Sequence, residues 1–414
     1  MRIAILGGGI VGVTTAYFLA KAGVQVTVIE RNPGVAMQTS FANAGLISPG
    51  HSYTWASPQA PAILAKSLFY KDQALKLKLV PDWRMYAWCL KFIQNCTAAK
   101  ARTNTSRKAR LSLYSQSIIQ EVTGREKLEY DRVSKGLLYL HREDTSLQRA
   151  IRNMGVLEDN GVPLRVLSPA EVGQYEPALT DYTKHISGAL YCPSDESGDA
   201  RVFTKAMYEC CVAMGVRFMF DTVATNASVE GDRIKFIQTC KGPIDADRFV
   251  FAMGCDTSRF ARKLGYRLPI YPVKGYSVTF PILDPERAPD VGGLDEHHLI
   301  AWARFGSTLR VTGTAEFAGY DTTHKPSDFS HMIDVAKLMF PDAIDFTRPS
   351  YWAGLRPMTP DGTPILGPSR HKNLFFNAGH GHLGWTWSCG TARIVSDLII
   401  GKTPEVSLDG LTLR

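Results

Sequence analysis

Arg2-Ile3-Ala4-Ile5-Leu6-Gly7-Gly8-Gly9-Ile10-Val11-Gly12 opens the chain, and the reading of this stretch through Glu30 decides the fold. Residues 3–6 are a short apolar run of the length and composition of a fully buried parallel strand. A glycine turn follows, then a helical pattern from about Ile10 to Ala22, and Gly23 stops it. Val24–Ile29 reads as a second buried strand ending at Glu30, eighteen residues after Gly12. Strand, glycines, helix, strand and acid thus fall in the order of a dinucleotide-binding β-α-β unit, with Gly7, Gly9 and Gly12 as its fingerprint. Gly7 permits the tight turn, Gly9 lets backbone approach a pyrophosphate, and Gly12 lets helix pack on strand. The diphosphate sits where Ile10 and Val11 start the helix, at its unpaired N–H groups and positive dipole end. Glu30, followed by Arg31, accepts from a ribose hydroxyl pair and repels a 2′-phosphate. The unit alone does not separate NAD from FAD.

With 414 residues the chain has room for two domains, and its composition is that of an ordinary globular protein. No stretch approaches the length of a transmembrane helix, and glycines break the N-terminal apolar segment where a signal peptide would be continuous. Eight cysteines form no C-x-x-C pair and no zinc spacing, so no metal is expected and free thiols in a reducing cytoplasm are. The net charge of +8 is unevenly placed. Residues 62–110 carry eleven Lys/Arg against Asp72 and Asp82, with Phe69, Tyr70, Trp83, Tyr86, Trp88 and Phe92 interleaved. Two readings stay open for this stretch. It rests peripherally on the anionic inner face of the cytoplasmic membrane, or it is a helical lid with aromatics inward and lysines outward. No nucleic-acid-binding motif accompanies the charge.

Further along, 57–130 looks largely helical, 136–141 a strand and 144–160 an amphipathic helix. Ser168-Pro169-Ala170-Glu171 has the order of a helix start. Ser187–Cys192 reads as a strand and Asp199–Gly215 as a helix. Val216–Phe220 and Arg248–Ala252 are apolar strands that extend the parallel sheet, the second running into Gly254. Tyr271–Phe280, Leu299–Arg304 and Leu309–Thr314 alternate and suit an antiparallel sheet with one open face. Leu374–Ala378 is a buried strand leading to Gly379-His380-Gly381-His382-Leu383-Gly384 and a helix from about Trp385. The expected class is α/β. A Rossmann-like cofactor domain (1–56, 196–267, 351–414) is interleaved with a substrate domain of antiparallel sheet and helices (57–195, 268–350).

The last third narrows the cofactor. Residues 352–367, Trp-Ala-Gly-Leu-Arg-Pro-Met-Thr-Pro-Asp-Gly-Thr-Pro-Ile-Leu-Gly, and residues 379–386, Gly-His-Gly-His-Leu-Gly-Trp-Thr, resemble signatures of the D-amino acid oxidase family of flavoproteins. Thr39–Gly50, Pro193–Asp199 and Tyr271–Ser277 match as well, so the resemblance spans nearly the whole chain. It implies FAD, with the flavin between two sheet layers. Asn43, Ala44, Gly45 and Leu46 would line one side of the ring, and Gly379, His380, Gly381, His382, Leu383 and Gly384 the other. Val223 matches the family position whose backbone meets the adenine. The implied activity is oxidative deamination of D-amino or cyclic D-imino acids by hydride transfer, with a quinone-type acceptor. An oxygen-using oxidase of glycine, sarcosine or D-amino acids is the first rival, and a flavin-binding module without turnover the second. Arg356 matches the family arginine that clamps the substrate carboxylate; a buried arginine paired with Asp361 or a carbonyl is the alternative. His382 and His51 depart from the threonine and tyrosine usual in bacterial members acting on D-alanine. Either could bind a carboxylate, take a proton or narrow the pocket. Tyr276 and Tyr53 are candidate pocket walls or core tyrosines.

Overall fold

Two large sheets face one another across a central cavity in the computed structural model, which describes residues 1–67, 75–77 and 81–413. Phe69, Tyr70, Lys71, Asp72 and Lys78 of the basic stretch lie outside the described residues.

The first sheet grows from the opening β-α-β unit. Arg2–Leu6 pairs in parallel with Gln25–Ile29 on one side and Arg248–Phe251 on the other. Arg217–Met219 and Leu374–Ala378 extend it in parallel, and Ile365–Pro368 closes one edge antiparallel. Its strands are apolar and buried, as a sheet covered on both faces requires. The helices Ile10–Lys21, Ala200–Ala213 and Ser388–Ile400 pack on one face with part of the long helix Ala98–Glu126. A three-stranded meander, Ala224–Glu230, Arg233–Thr239 and Gly242–Asp245, attaches to the other face through Ile234 and Ile237, and no sequence pattern announced it.

The second sheet is mixed. Its order runs Ser350–Met358, Tyr271–Pro281, Thr308–Phe317, Ile300–Phe305, Gly292–Asp295, Leu137–His141, Gly188–Cys192 and Arg165–Leu167, with Leu75–Leu77 paired to the third of these. Within it the alternating strands pair antiparallel, whereas Gly292–Asp295 meets Leu137–His141 in parallel. The expected open face is absent: nearly every residue of 271–281 and 308–317 is buried. One face packs Tyr276, Val278, Phe280, Val311 and Trp302 against Phe329, Met332 and Val335 from the segment around the helix Ser330–Met339. The other face looks into the cavity. Its polar residues satisfied the alternation that suggested water, but they serve the cavity.

In the basic stretch the helices are Ala60–Ser67, Trp83–Asn95 and Ala98–Glu126, and Leu75–Leu77 is a strand where only helix was expected. The helix Trp83–Asn95 divides its aromatics between two faces. Met85, Trp88 and Phe92 pack with Tyr271 and Phe317, while Trp83, Tyr86, Leu90 and Ile93 are exposed. The C-terminal helix begins at Ser388, later than expected. Trp385 packs against Tyr130 and Phe203 and donates its Nε1–H to Gly198 O at 3.1 Å, which holds residues 385–387 as a turn. The loop 379–384 therefore meets the cavity through a 3₁₀ turn, Gly381–Leu383, one turn ahead of the helix.

Candidate active site

The cavity between the sheets holds about 1750 Å³ and is elongated enough to be lined from Gly7 and Val223 at one end to His51 and Arg149 at the other. The glycine turn behaves as its spacing demanded. Gly7 has φ +113°, and a Cβ there would stand 2.4 Å from Ala252 O. A Cβ on Gly12 would sit 1.9 Å from Gly7 O, so close helix–strand packing excludes any side chain. Gly9 is different: a Cβ would meet only Ser40 Oγ, at 3.6 Å. The protein's own packing leaves that space empty, and it opens into the cavity.

Glu30 is buried, and its carboxylate accepts from Gly8 N–H at 2.6 Å and Asn32 N–H at 2.8 Å. Arg31 pairs with Asp256 at 2.8 Å. Both line the cavity, as do Ile10, Val11, Val223 and Gly254. Val223 carries a bond not foreseen: its N–H donates to Cys240 Sγ at 3.3 Å, and its carbonyl accepts from Cys240 N–H at 3.0 Å. Asn43, Ala44, Gly45 and Leu46 line the middle. Asn43 Oδ1 accepts from Gly45 N–H at 3.0 Å, and Asn43 O accepts from Arg310 at 3.2 Å. Arg310 also pairs at 3.0 Å with Asp199, the carboxylate that caps the helix Ala200–Ala213. His380, Gly381, His382, Leu383 and Gly384 line the opposite side. Gly379 and Gly12 do not reach the cavity; they shape the turns that do.

Arg356 lies on Ser350–Met358 opposite Val273, and its guanidinium covers Gly275, where a Cβ would clash at 2.3 Å. It donates to Thr314 O at 2.9 Å and Lys274 O at 3.5 Å, and no carboxylate pairs with it among the described residues. The expected alternative partner, Asp361, instead accepts from Thr363. Burial pushes the Arg356 pKa down to about 10. An unneutralised guanidinium facing an enclosed cavity is an anion site. Strand alternation sends the neighbouring Tyr276 the other way. Tyr276 is among the residues that line the cavity, while its ring packs edge-on against Phe329 and its hydroxyl donates to Glu316.

His382 stacks on Trp55 at 5.1 Å and stands edge-on to His51 at 6.4 Å. Its Nε2 is buried with no hydrogen-bond partner among the described residues. Burial, reinforced by the charges of Lys108, His51 and Arg356, holds its pKa well below the usual histidine range, so the ring is neutral. His380 bonds Thr391 at 3.0 Å, and burial lowers it to about 3. His51 bonds Glu296 Oε1 at 2.9 Å and stacks on Tyr139 at 5.2 Å. Tyr53 lines the cavity, and its hydroxyl is buried with no hydrogen-bond partner among the described residues.

Three residues here went unremarked in the sequence. Glu296 follows a short strand, Trp55 sits in an irregular segment, and Lys108 lies mid-helix among other basic residues. Lys108 is fully buried, donates to Tyr53 O at 2.6 Å, and burial lowers its pKa to about 7. One signal was available for it: a lysine followed by Ala109, Leu111 and Ser112, all on the packed side of the helix.

A site of this kind, with a glycine-turn dinucleotide end and, facing the same cavity, a guanidinium that no carboxylate neutralises among the described residues, is that of a flavin-dependent oxidoreductase. Residues 2–398 match the family model described as DAO, FAD dependent oxidoreductase, and the chain belongs to that family. It is 41% identical over 413 residues to D-amino acid dehydrogenase 2 of Mesorhizobium japonicum, covering 99% of each chain. It is 42% identical over 413 residues to D-amino acid dehydrogenase of Azorhizobium caulinodans, covering 100% of this chain and 99% of that one. Among solved structures it resembles glycine oxidase from Geobacillus kaustophilus with a TM-score of 0.77, 22% identity and coverage of 100% and 98%. L-proline dehydrogenase from P. horikoshii gives 0.76 at 20% identity, covering 100% and 96%.

Proposed function

We propose that this chain is a D-amino acid dehydrogenase that oxidises D-amino or cyclic D-imino acids and hands the electrons to a quinone-type acceptor. The observation that carries the reading is Arg356, a cavity-facing guanidinium with no acidic partner among the described residues, in a chain about 41% identical over its whole length to proteins named for that activity. A flavin-binding module without turnover has no use for such a clamp.

The residues fit FAD. The space over Gly9 suits a diphosphate at the helix N-terminus beside Val11, where Ile10 N–H donates to Ser40 Oγ at 3.2 Å, and Glu30 with Arg31 suits the ribose. Val223 and Gly254 border the adenine end, and Asn43–Leu46 with His380–Gly384 border the flavin. In this reading the Rossmann-like segments 1–56, 196–267 and 351–414 form the cofactor half, and 57–195 with 268–350 the substrate half.

A bound FAD would supply the hydride acceptor for the α-hydrogen, and the imino acid so formed would be hydrolysed to keto acid and ammonia. The chain's own part is positional. Arg356 forks onto the α-carboxylate and fixes which face of the α-carbon meets the ring. His382, neutral and with no hydrogen-bond partner at Nε2 among the described residues, is placed to accept a hydrogen bond from the substrate's amino group and so to orient the amine, the form that releases hydride. Trp55 holds the imidazole plane, and enclosure by the two sheets strengthens each polar contact.

The exposed stripe Trp83, Tyr86, Leu90 and Ile93 supports peripheral contact with an anionic membrane. Its spacing of three, four and three keeps it on one helix face, with Arg84 and Lys91 on the same helix. Trp88 and Phe92 of that helix line the cavity, as do Ile63 and Leu64, which suits entry of an apolar acceptor. Anaerobic bleaching of the flavin by D- but not L-amino acids tests the substrate. Reduction of a quinone analogue without peroxide tests the acceptor. No bleaching by any amino or imino acid would overturn the enzyme reading.

A further inference from the structure

The wall beyond His382 is built around Glu296. Its backbone N–H donates to Leu140 O at 3.0 Å, and Asp295 Oδ1 accepts from His297 and His298 N–H at 2.9 and 2.8 Å, which locks the turn. Oε1 of Glu296 is bonded to His51, whose ring lies flat on Tyr139, while Gly50 N–H is tied to Asp195. Oε2 accepts nothing from the described residues. The Glu296 side chain is 22% exposed, and the cavity is what it lines. Burial works against its charge, but His51 and His141 together hold its pKa below the usual carboxylate range. Tyr53, with its unpartnered hydroxyl, stands within the field of this charge. The chamber thus runs from a cation, Arg356, past neutral His382 to an anion, Glu296.

We propose that Glu296, oriented by His51, is a side-chain subsite that selects substrates carrying a hydrogen-bond donor, a hydroxyl or an amine, on the side chain. The proposal rests on the reading that Arg356 takes the α-carboxylate, because that anchor sends the side chain toward Glu296. A donor satisfies Oε2. An apolar side chain covers the carboxylate, strips its water and returns nothing, so discrimination works from both directions.

The test uses the FAD-loaded enzyme with a dye acceptor and matched pairs: D-serine against D-alanine, D-lysine against D-norleucine, and a hydroxylated D-proline against D-proline. The wild type should favour the donor-bearing member of at least one pair by about 10-fold or more in kcat/KM, the scale of a hydrogen bond to a charged group. Glu296→Gln keeps the shape and an acceptor for His51 while removing the charge, and it should cut that ratio about 10-fold, mainly through KM. Flavin absorbance and a thermal melt verify that the variant is folded. If it is not, the wild-type ratios decide alone, and ratios of one or below in every pair overturn the proposal. Equal losses on both members of a pair also overturn it, because Glu296 would then serve a group common to all substrates. Faster turnover of D-aspartate or D-glutamate would overturn it in favour of Arg149 and Arg152, which line the same cavity farther out. In each of these outcomes D-amino acids still bleach the flavin, whereas failure of the parent reading abolishes bleaching altogether.

Discussion

Replacing Arg356 with methionine separates binding from folding, because the two effects have opposite signs. Burial lowers the arginine pKa from 12.5 to about 10. At neutral pH, below both values, the charged form therefore weighs against the fold by up to about 3 kcal/mol, at about 1.4 kcal/mol per pH unit. Removing the charge recovers that amount, less where the guanidinium already meets cavity water. Against it, Thr314 O and Lys274 O lose their donor, at about 1 kcal/mol each. The net change in stability is near zero or slightly favourable. Binding loses more: truncating one side of an enclosed, hydrogen-bonded charge pair costs about 2–5 kcal/mol, or about 30-fold to several-thousand-fold in kcat/KM. The assay is dye reduction with a D-amino acid, beside flavin absorbance and a thermal melt of the same preparation. Arg356→Met should keep its flavin and melt within a few degrees of the parent while kcat/KM collapses. A variant that melts far lower yet turns over within about threefold of the parent would refute the reasoning and make Arg356 a structural residue.

Further outcomes follow from other sites. Burial raises the Asp195 carboxyl from 3.8 to about 7, so the folded state keeps a proton that the unfolded chain gives up. Its stabilising contribution is full below about pH 4 and is lost as pH climbs toward 7; Asp195→Asn should flatten that slope in melts recorded from pH 4 to 8. Gly9→Ala should fold normally and lose FAD affinity, while Gly12→Ala, with its Cβ 1.9 Å from Gly7 O, should fail to fold at all; titration of the apoprotein with FAD and a melt distinguish them. Cosedimentation with vesicles containing anionic lipid should be salt-sensitive and should drop severalfold in Trp83→Ser/Leu90→Ser, with the flavin spectrum unchanged. Undiminished cosedimentation of that double variant would rule out the stripe.

Local physics made the nearest-neighbour features readable. The β-α-β unit, the Asp199 cap and the Ser168–Glu171 capping box all place chemistry within a few residues of the structure it dictates. The meander at 224–245 was silent because Ala224–Glu230 and Gly242–Asp245 bury no residue fully, and the short alternation of Arg233–Thr239 stands alone between them. The substrate wall was only partly legible. His51 and His382 stood out as departures, but that they meet at 6.4 Å is a product of chain crossings more than three hundred residues apart. Glu296 gave no sign, since its position depends on Gly292–Asp295 lying parallel to Leu137–His141. Tyr276 kept both of its readings: it lines the cavity, and strand alternation turns its ring toward Phe329 and Glu316.

The placement of Arg356 on a strand has a consequence for how such a protein can change. Arg356 sits in register with Val273, and nine residues later Ile365 begins the edge strand of the first sheet. One inserted or deleted residue before it would send the guanidinium through to the opposite face, so this side of the site admits no gradual adjustment. His51, Trp55, Glu296 and His382 sit on turns and irregular segments, where exchanges shift a contact without reversing it. Lineages that acquire new substrates should therefore do so by rewriting the turns while the strand stays frozen, and directed evolution that leaves 350–358 alone and randomises those four positions follows the direction in which the molecule yields.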